Sequence, residues 1–301
     1  MRSLVIFRRD LRAEDNHALS MAMESSKDVL PCFIFDPRQV GENNSYKSEG
    51  AYRFMLANLK ELSDDIPLKL FSGDPAEITA KLIDECNISS VYVNRDYTPF
   101  CIRRDQSIGD VCKSKRARFI QCTDLLLTEP EQVQGNKGPY KIFTPFYNKA
   151  RQMPMQTPKK TGRKNFFDGR LSFETRLKRQ GQGYKGRSEA KRLLKDITKA
   201  SEEHGTRLSA HLKFGTISVR EAYHAIEKAL GTDSPLLRQL YWRDFFHHIA
   251  FHFPHVFKGS FYPKFDRIGW KNDDRLFAGW KEGKTGFPIV DAAMRELDAT
   301  G

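Results

Sequence analysis

Short apolar runs alternate with amphipathic stretches over the first 122 residues of the chain. The runs are Leu4–Phe7, Val29–Phe35, Leu68–Phe71, Val91–Val93 and Phe119–Gln121. Helical patterns lie between them, around Asn16–Ser25, Ser48–Leu62, Pro75–Glu85 and Pro99–Lys115. Strands separated by helices in this way predict a five-stranded parallel sheet, doubly wound and covered on both faces, as an α/β N-terminal domain over residues 1–122. Asp74-Pro75-Ala-Glu77 offers an N-cap, a proline at the first helical position and a carboxylate in the first turn. Residues 123–185 are rich in Pro, Gly, Lys and Arg and weakly periodic. They read as a long inter-domain linker with one ordered island, Tyr140–Phe146.

From 186 to 301 the period is helical. Ser218-Val-Arg-Glu221 forms a capping box whose helix ends at Gly231, and Ser234-Pro235 opens the next helix, through about Phe251. Near the C-terminus Gly286-Phe-Pro288 breaks the backbone and starts a further helix. Its apolar stripe of Ile289, Val290, Ala293, Met294 and Leu297 must bury against something.

Charge changes the picture of the linker. Of a net charge of +12, the segment from Lys137 to Arg192 holds 16 Lys/Arg against 3 Asp/Glu, a local +13. Such a segment suits a polyanionic partner through counterion release, or a solvated linker kept soluble by its lysines. Five cysteines, an odd number with no C-x-x-C pair, argue for reduced thiols in a cytoplasm-like compartment. No apolar run approaches a membrane span, and Arg8, Arg9 and Asp10 interrupt the N-terminal apolar stretch, so no signal peptide is expected.

The usual signatures are missing. Phe7-Arg-Arg-Asp-Leu-Arg12 follows the first strand in place of G-x-G-x-x-G, there is no P-loop and no G-x-S-x-G turn, and His248/His252 lack the glutamate of H-E-x-x-H. Two constellations stand out instead. On the Leu236–Phe251 helix, Gln239, Trp242, Arg243 and Phe246 fall at i, i+3, i+4 and i+7. An indole, an amide and a guanidinium on one face suit a planar, partly charged ligand, or equally an amphipathic helix with a structural Trp and Arg at its rim. In His204-Gly-Thr-Arg-Leu-Ser209, hydroxyls at Thr206 and Ser209 with Arg207 and Lys213 near a helix start suit a diphosphate, or a plain helix cap with surface cations.

Five ordered segments resemble the DNA photolyase/cryptochrome flavoproteins: Leu4–Leu19, Tyr140–Phe146, Thr206–Ser218, Gln239–Asp244 and Gly283–Met294. In detail the chain is most similar to bacterial-type cyclobutane pyrimidine dimer photolyases, and it resembles one that stops before the family's usual end. The resemblance implies an antenna-type α/β domain, then an all-helical FAD-binding domain of which residues 186–301 are the N-terminal part. It implies a carbon–carbon lyase that uses excited, reduced FAD to split pyrimidine dimers in DNA, acting as a monomer away from membranes. By motif position Thr206, Arg207, Leu208 and Ser209 would contact FAD, mainly its phosphates. Gln239, Trp242 and Arg243 would line the cavity between flavin and lesion, and Trp270 would be the outer electron-transfer tryptophan. Gln239 stands where dimer-repairing members often carry glutamate. Phe100-Cys101 replaces a folate-binding Asn-Glu pair, so the second, antenna chromophore is left unassigned. The alternatives on the same resemblance are a cryptochrome-type light receptor, or an inactive flavin-free fragment that binds nucleic acid.

Overall fold

The computed structural model describes residues 1–162, 164–167, 169–177, 186–198 and 206–300. His204 and Gly205 of the second constellation, and the boundary at 185, lie outside the described residues. The sheet contains β1 (Arg2–Phe7), β2 (Asp28–Phe35), β3 (Lys69–Ser72), β4 (Ile88–Asn94) and β5 (Arg118–Cys122), all parallel, in the order β3-β2-β1-β4-β5. The expected five-stranded doubly wound sheet is therefore present. Its helices include α1 (His17–Ser25), the short α2 (Pro37–Val40), α3 (Glu49–Asp65), α4 (Pro75–Cys86) and α5 (Pro99–Ser114).

Strand alternation sorts the core. Val5, Phe7, Val29 and Phe33 face α1 and α3 through Leu19, Met23 and Leu59. Leu4, Ile6, Leu30 and Cys32 face α4 and α5 through Ile78, Leu82, Ile108 and Cys112. Asp74 caps α4 by accepting from the amides of Ala76 and Glu77. All five cysteines are buried free thiols.

The linker is more ordered than its composition suggests. A two-residue hairpin, β6 (Gln134–Gly135) with β7 (Gly138–Pro139), leads into α6 (Phe143–Ala150). Farther on, residues 159–162, 164–167 and 169–177 form a strap against the α/β domain. The Val29 amide donates to Asn165 and the Phe167 amide to Val29, beside the start of β2 that β3 leaves unpaired, and the Thr175 amide donates to the Leu70 carbonyl on the outer edge of β3. Phe166 packs against one core, and Phe167, Leu171 and Phe173 against the other. The basic residues of the strap are thus carried on an apolar backbone that covers a sheet edge.

The helical part comprises α6, α7 (Arg187–Lys195), α8 (Leu208–Phe214), α9 (Val219–Leu230) and α10 (Pro235–His252), around Phe146, Leu193, Leu212, Ile226, Leu240 and Phe245. The capping box at Ser218/Glu221 is formed, and Gly231 closes α9. After two short 3-10 turns come α11 (Asp274–Lys281) and α12 (Pro288–Thr300). The stripe on α12 is open, with Ile289 84% and Leu297 56% exposed.

A buried ionic cluster joins the two parts. Asp124 receives Arg12 from the α/β side at 2.7 Å and Arg220 of α9 at 2.8 Å, while Arg220 also reaches Asp15 at 3.0 Å. Burial alone would raise the Asp124 pKa, but Arg12 and Arg220 outweigh it and hold the carboxyl below its usual range. Beside this cluster the Leu11 amide donates to the Phe214 carbonyl, and Gly215, at φ +66°, lets α8 end directly against the backbone of Arg9 and Asp10.

Candidate functional site

Three places collect the chemistry. The first is the exposed side of α10. Gln239 is exposed and its amide makes no hydrogen bond to a described residue; Trp242 is 39% and Phe246 62% exposed. Phe143, the first residue of α6, lies face to face with Trp242, ring centroids 3.6 Å apart and planes within 8°. Phe246 is 5.7 Å from Trp242 on the same helix. Arg238 sets its guanidinium over the rings of Phe143 and Tyr147, at 5.4 and 5.1 Å.

Arg243 lies elsewhere. It turns from this face toward the inter-domain junction, where Nη1 donates to the Leu125 carbonyl at 2.8 Å. It lies 3.5 Å from Asp244 Oδ1, an oxygen that has no hydrogen-bond partner, so the charge pairing is only partial. Asp244 Oδ2 accepts the amides of Leu127 and Thr128, which fixes α10 to the segment leaving β5. Burial pushes the Asp244 carboxyl up to about 7 against the pull of Arg243, and burial brings Arg243 itself down to about 10. Burial and the Arg243 charge lower His247 to about 4. This is an anchoring group rather than a face open to a ligand.

The second place is a cavity of about 660 Å³ bounded by the start of α3, by α8 and by the C-terminal helices, with Ser209, Lys213, Lys281, Met294 and Leu297 in its wall. Arg207 is exposed at φ +51°, a left-handed turn into α8, and Thr206 is partly exposed just before it. Leu208 is 3% exposed and packs into the helical core. Of the residues expected at a diphosphate, Ser209 lines this cavity with Lys213 and Lys281, whereas Thr206 and Arg207 are not in its wall and the Leu208 side chain is turned into the core.

The third is a cavity of about 460 Å³ at the carboxyl ends of the strands, where the order reverses between β1 and β4. Arg8 and Arg9 follow β1, Asp36 follows β2, Asp96 follows β4, and Tyr52 and Phe100 supply aromatic walls. Ligands of open α/β sheets bind at such reversals. No fingerprint in the sequence marks it; it follows from the strand order, which only the structure gives. Arg8 is held by Asp105 and the Asn94 carbonyl. Burial works against the Asp96 charge, but Arg9 and Arg8 hold its carboxyl down at about 2. Phe143 falls inside the Tyr140–Phe146 motif, but nothing in the motif marks it as a partner of Trp242, and Arg238 escaped the reading because it is an ordinary exposed helix position.

Trp270 stands apart, 70% exposed and without a ring contact to another described residue. No helix among the described residues is long and apolar enough to cross a membrane.

Residues 3–162 match the family model described as DNA photolyase, and residues 236–301 match the FAD binding domain of DNA photolyase. Among curated relatives, the deoxyribodipyrimidine photo-lyase of Escherichia coli is 30% identical, over 99% of this chain and 71% of its own length. That of a Synechococcus strain is 29% identical, over 98% and 69%. Cryptochrome-1 of Arabidopsis thaliana is 27% identical, over 99% of this chain and 50% of its own. Among solved structures, an archaeal photolyase from Sulfolobus tokodaii, described with two FAD molecules and a novel light-harvesting cofactor, superposes with a TM-score of 0.86 at 38% identity, covering 100% of this chain and 71% of that one.

Proposed function

Because this chain belongs to the DNA photolyase family, we propose that it is a light-driven DNA repair lyase that splits cyclobutane pyrimidine dimers. The observation that carries the reading is Trp242, an indole held flat by Phe143 yet 39% exposed, one helical turn from an unengaged Gln239. An extruded dimer offers the saturated C5–C6 side of its two rings to an aromatic surface and carries carbonyls and N–H groups along its edges. Trp242 offers it a stacking surface and Gln239 an amide for its edge.

When bound, reduced FAD would supply the photochemistry, lending the dimer an electron that returns once the ring has split. The chain's own groups hold, orient and shield. Thr206, Arg207 and Ser209 take the diphosphate, with Leu208 fixing the turn from within the core. Arg243 and Asp244 lock α10 to the segment after β5, so that the Trp242 face keeps its place. Exposed Trp270 is placed to exchange an electron with the solution. The cavity at the β1/β4 reversal is the place for a second chromophore of flat, aromatic kind between Tyr52 and Phe100. The enzyme works as a monomer on DNA.

The test is to load the chain with FAD, reduce it, and illuminate it with an oligothymidylate carrying dimers. Restored ultraviolet absorbance of the thymines is expected. Flavin bound without splitting refutes repair and favours a cryptochrome-type receptor, a second reading favoured by the amide Gln239 in place of a carboxylate. Absence of flavin bands after loading leaves only a flavin-free binder of nucleic acid.

A further inference from the structure

The Trp242 face is built from more than its own helix. Phe143 comes from the segment matched to the DNA photolyase model, and Arg238, Gln239 and Trp242 come from the segment matched to the FAD binding domain. Phe143 is 5% exposed and covers one face of the indole, and Phe246 lies 5.7 Å away with its plane tilted 29°, so the 39% of Trp242 that is exposed is the surface these two rings leave open. The orientation of Trp242 is therefore set by a residue of the linker. Arg238 is exposed, has no carboxylate partner among the described residues, and has its guanidinium parked on Phe143 and Tyr147. The next cation along this side, Arg151, is already paired with Asp233 at 3.0 Å. An unpaired guanidinium on an aromatic shelf keeps its planar donor edge free for an oxyanion, at little cost in ordering.

We infer that Phe143 is the positioning residue that presents one face of Trp242 to an extruded nucleotide, and that Arg238 takes the backbone phosphate beside that nucleotide. The assignment rests on the repair reading and names which groups of this chain serve it. Stacking tolerates any base, whereas the phosphate contact appears as salt dependence, so the two roles separate experimentally.

Trp242 becomes the sole tryptophan when Trp270 and Trp280 are changed to Phe. In that background the full chain is titrated with single-stranded oligothymidylate, with and without one thymine dimer, by fluorescence quenching at several salt concentrations. Arg238→Gln should weaken both oligonucleotides and cut the slope of log K against log salt by about 0.7, one phosphate's share for a single strand. Phe143→Leu should shift the Trp242 emission to the red and weaken binding about ten-fold with the slope unchanged, and Phe143→Tyr should restore both. An unchanged slope in Arg238→Gln overturns the phosphate assignment. Full binding and unshifted emission in folded Phe143→Leu overturn the positioning role, and should that variant not fold, failure of Phe143→Tyr to behave as the parent does the same. Failure of the parent to bind either oligonucleotide overturns the repair reading itself, which distinguishes that outcome from the other two.

Discussion

Gly215 is where the helical part rests its weight on the α/β part, and replacing it with alanine should separate two costs. The residue sits at φ +66°, and an added Cβ would fall inside the van der Waals shell of the Arg9 carbonyl and 2.6 Å from Asp10 Cα, both main chain. Main chain at the end of β1 cannot step aside, because Arg8 is clamped by Asp105 and Asn94 and the Leu11 amide is bonded to Phe214. Left-handed backbone costs an alanine about 1–2 kcal/mol, and forcing a methyl into closed packing adds roughly 1–3 kcal/mol. Gly231 is the control: its φ is +82° and nothing lies within 4 Å of an added Cβ. Gly231, at ψ 170°, lies in a region only glycine visits freely, so Gly231→Ala should show backbone strain without a clash, about 1–3 kcal/mol, and Gly215→Ala, left-handed and crowded, roughly 2–5 kcal/mol. Urea unfolding of both variants with the parent measures the difference. A Gly215→Ala loss no larger than the ~1–2 kcal/mol of left-handed strain alone would refute the close approach as the reason for glycine at 215.

Asp244→Asn keeps an oxygen for the Leu127 and Thr128 amides but cannot titrate. The folded carboxyl, raised to about 7, keeps a proton that the unfolded chain has lost, so its contribution to stability falls as pH rises from about 4 to 7. The drop amounts to at most ~4 kcal/mol, and the variant's stability, measured by denaturant unfolding from pH 4.5 to 8, should lack that slope; an unchanged difference between the two at all pH values would defeat the argument. Asp124→Asn leaves Arg12 and Arg220, with side chains 1% and 4% exposed, short of their shared charge, and should cost about 3–5 kcal/mol by the same measurement; a loss below ~1 kcal/mol, the level of a surface pair, would show that the cluster is solvated.

How far the sequence reached depends on what each feature needs. The strands were legible because residues such as Leu4 and Val5 are both buried, on opposite faces, giving apolar runs bounded by helix patterns. Caps at Asp74 and Ser218 were legible because they are local chemistry. The strap was not, since its apolar anchors Phe166, Phe167, Leu171 and Phe173 are spaced with neither strand nor helix period, and its remaining support is hydrogen bonds to residues distant in sequence such as Val29 and Leu70. Arg243 shows the limit at the site itself. Spacing puts it one residue from Trp242 on a single helix, and only the Leu125 carbonyl from the segment after β5, with the neighbouring Asp244 carboxylate, draws it away from the open face. Phe143 shows the converse. Nothing in its neighbourhood in sequence marks it as a partner of Trp242, yet its ring lies closer to that indole than any ring of Trp242's own helix does. Motif spacing identifies residues on one element, whereas this face is completed across two. The helix carrying Gln239 and Trp242 therefore does not alone decide which way the indole of this chain looks; Phe143 shares in it.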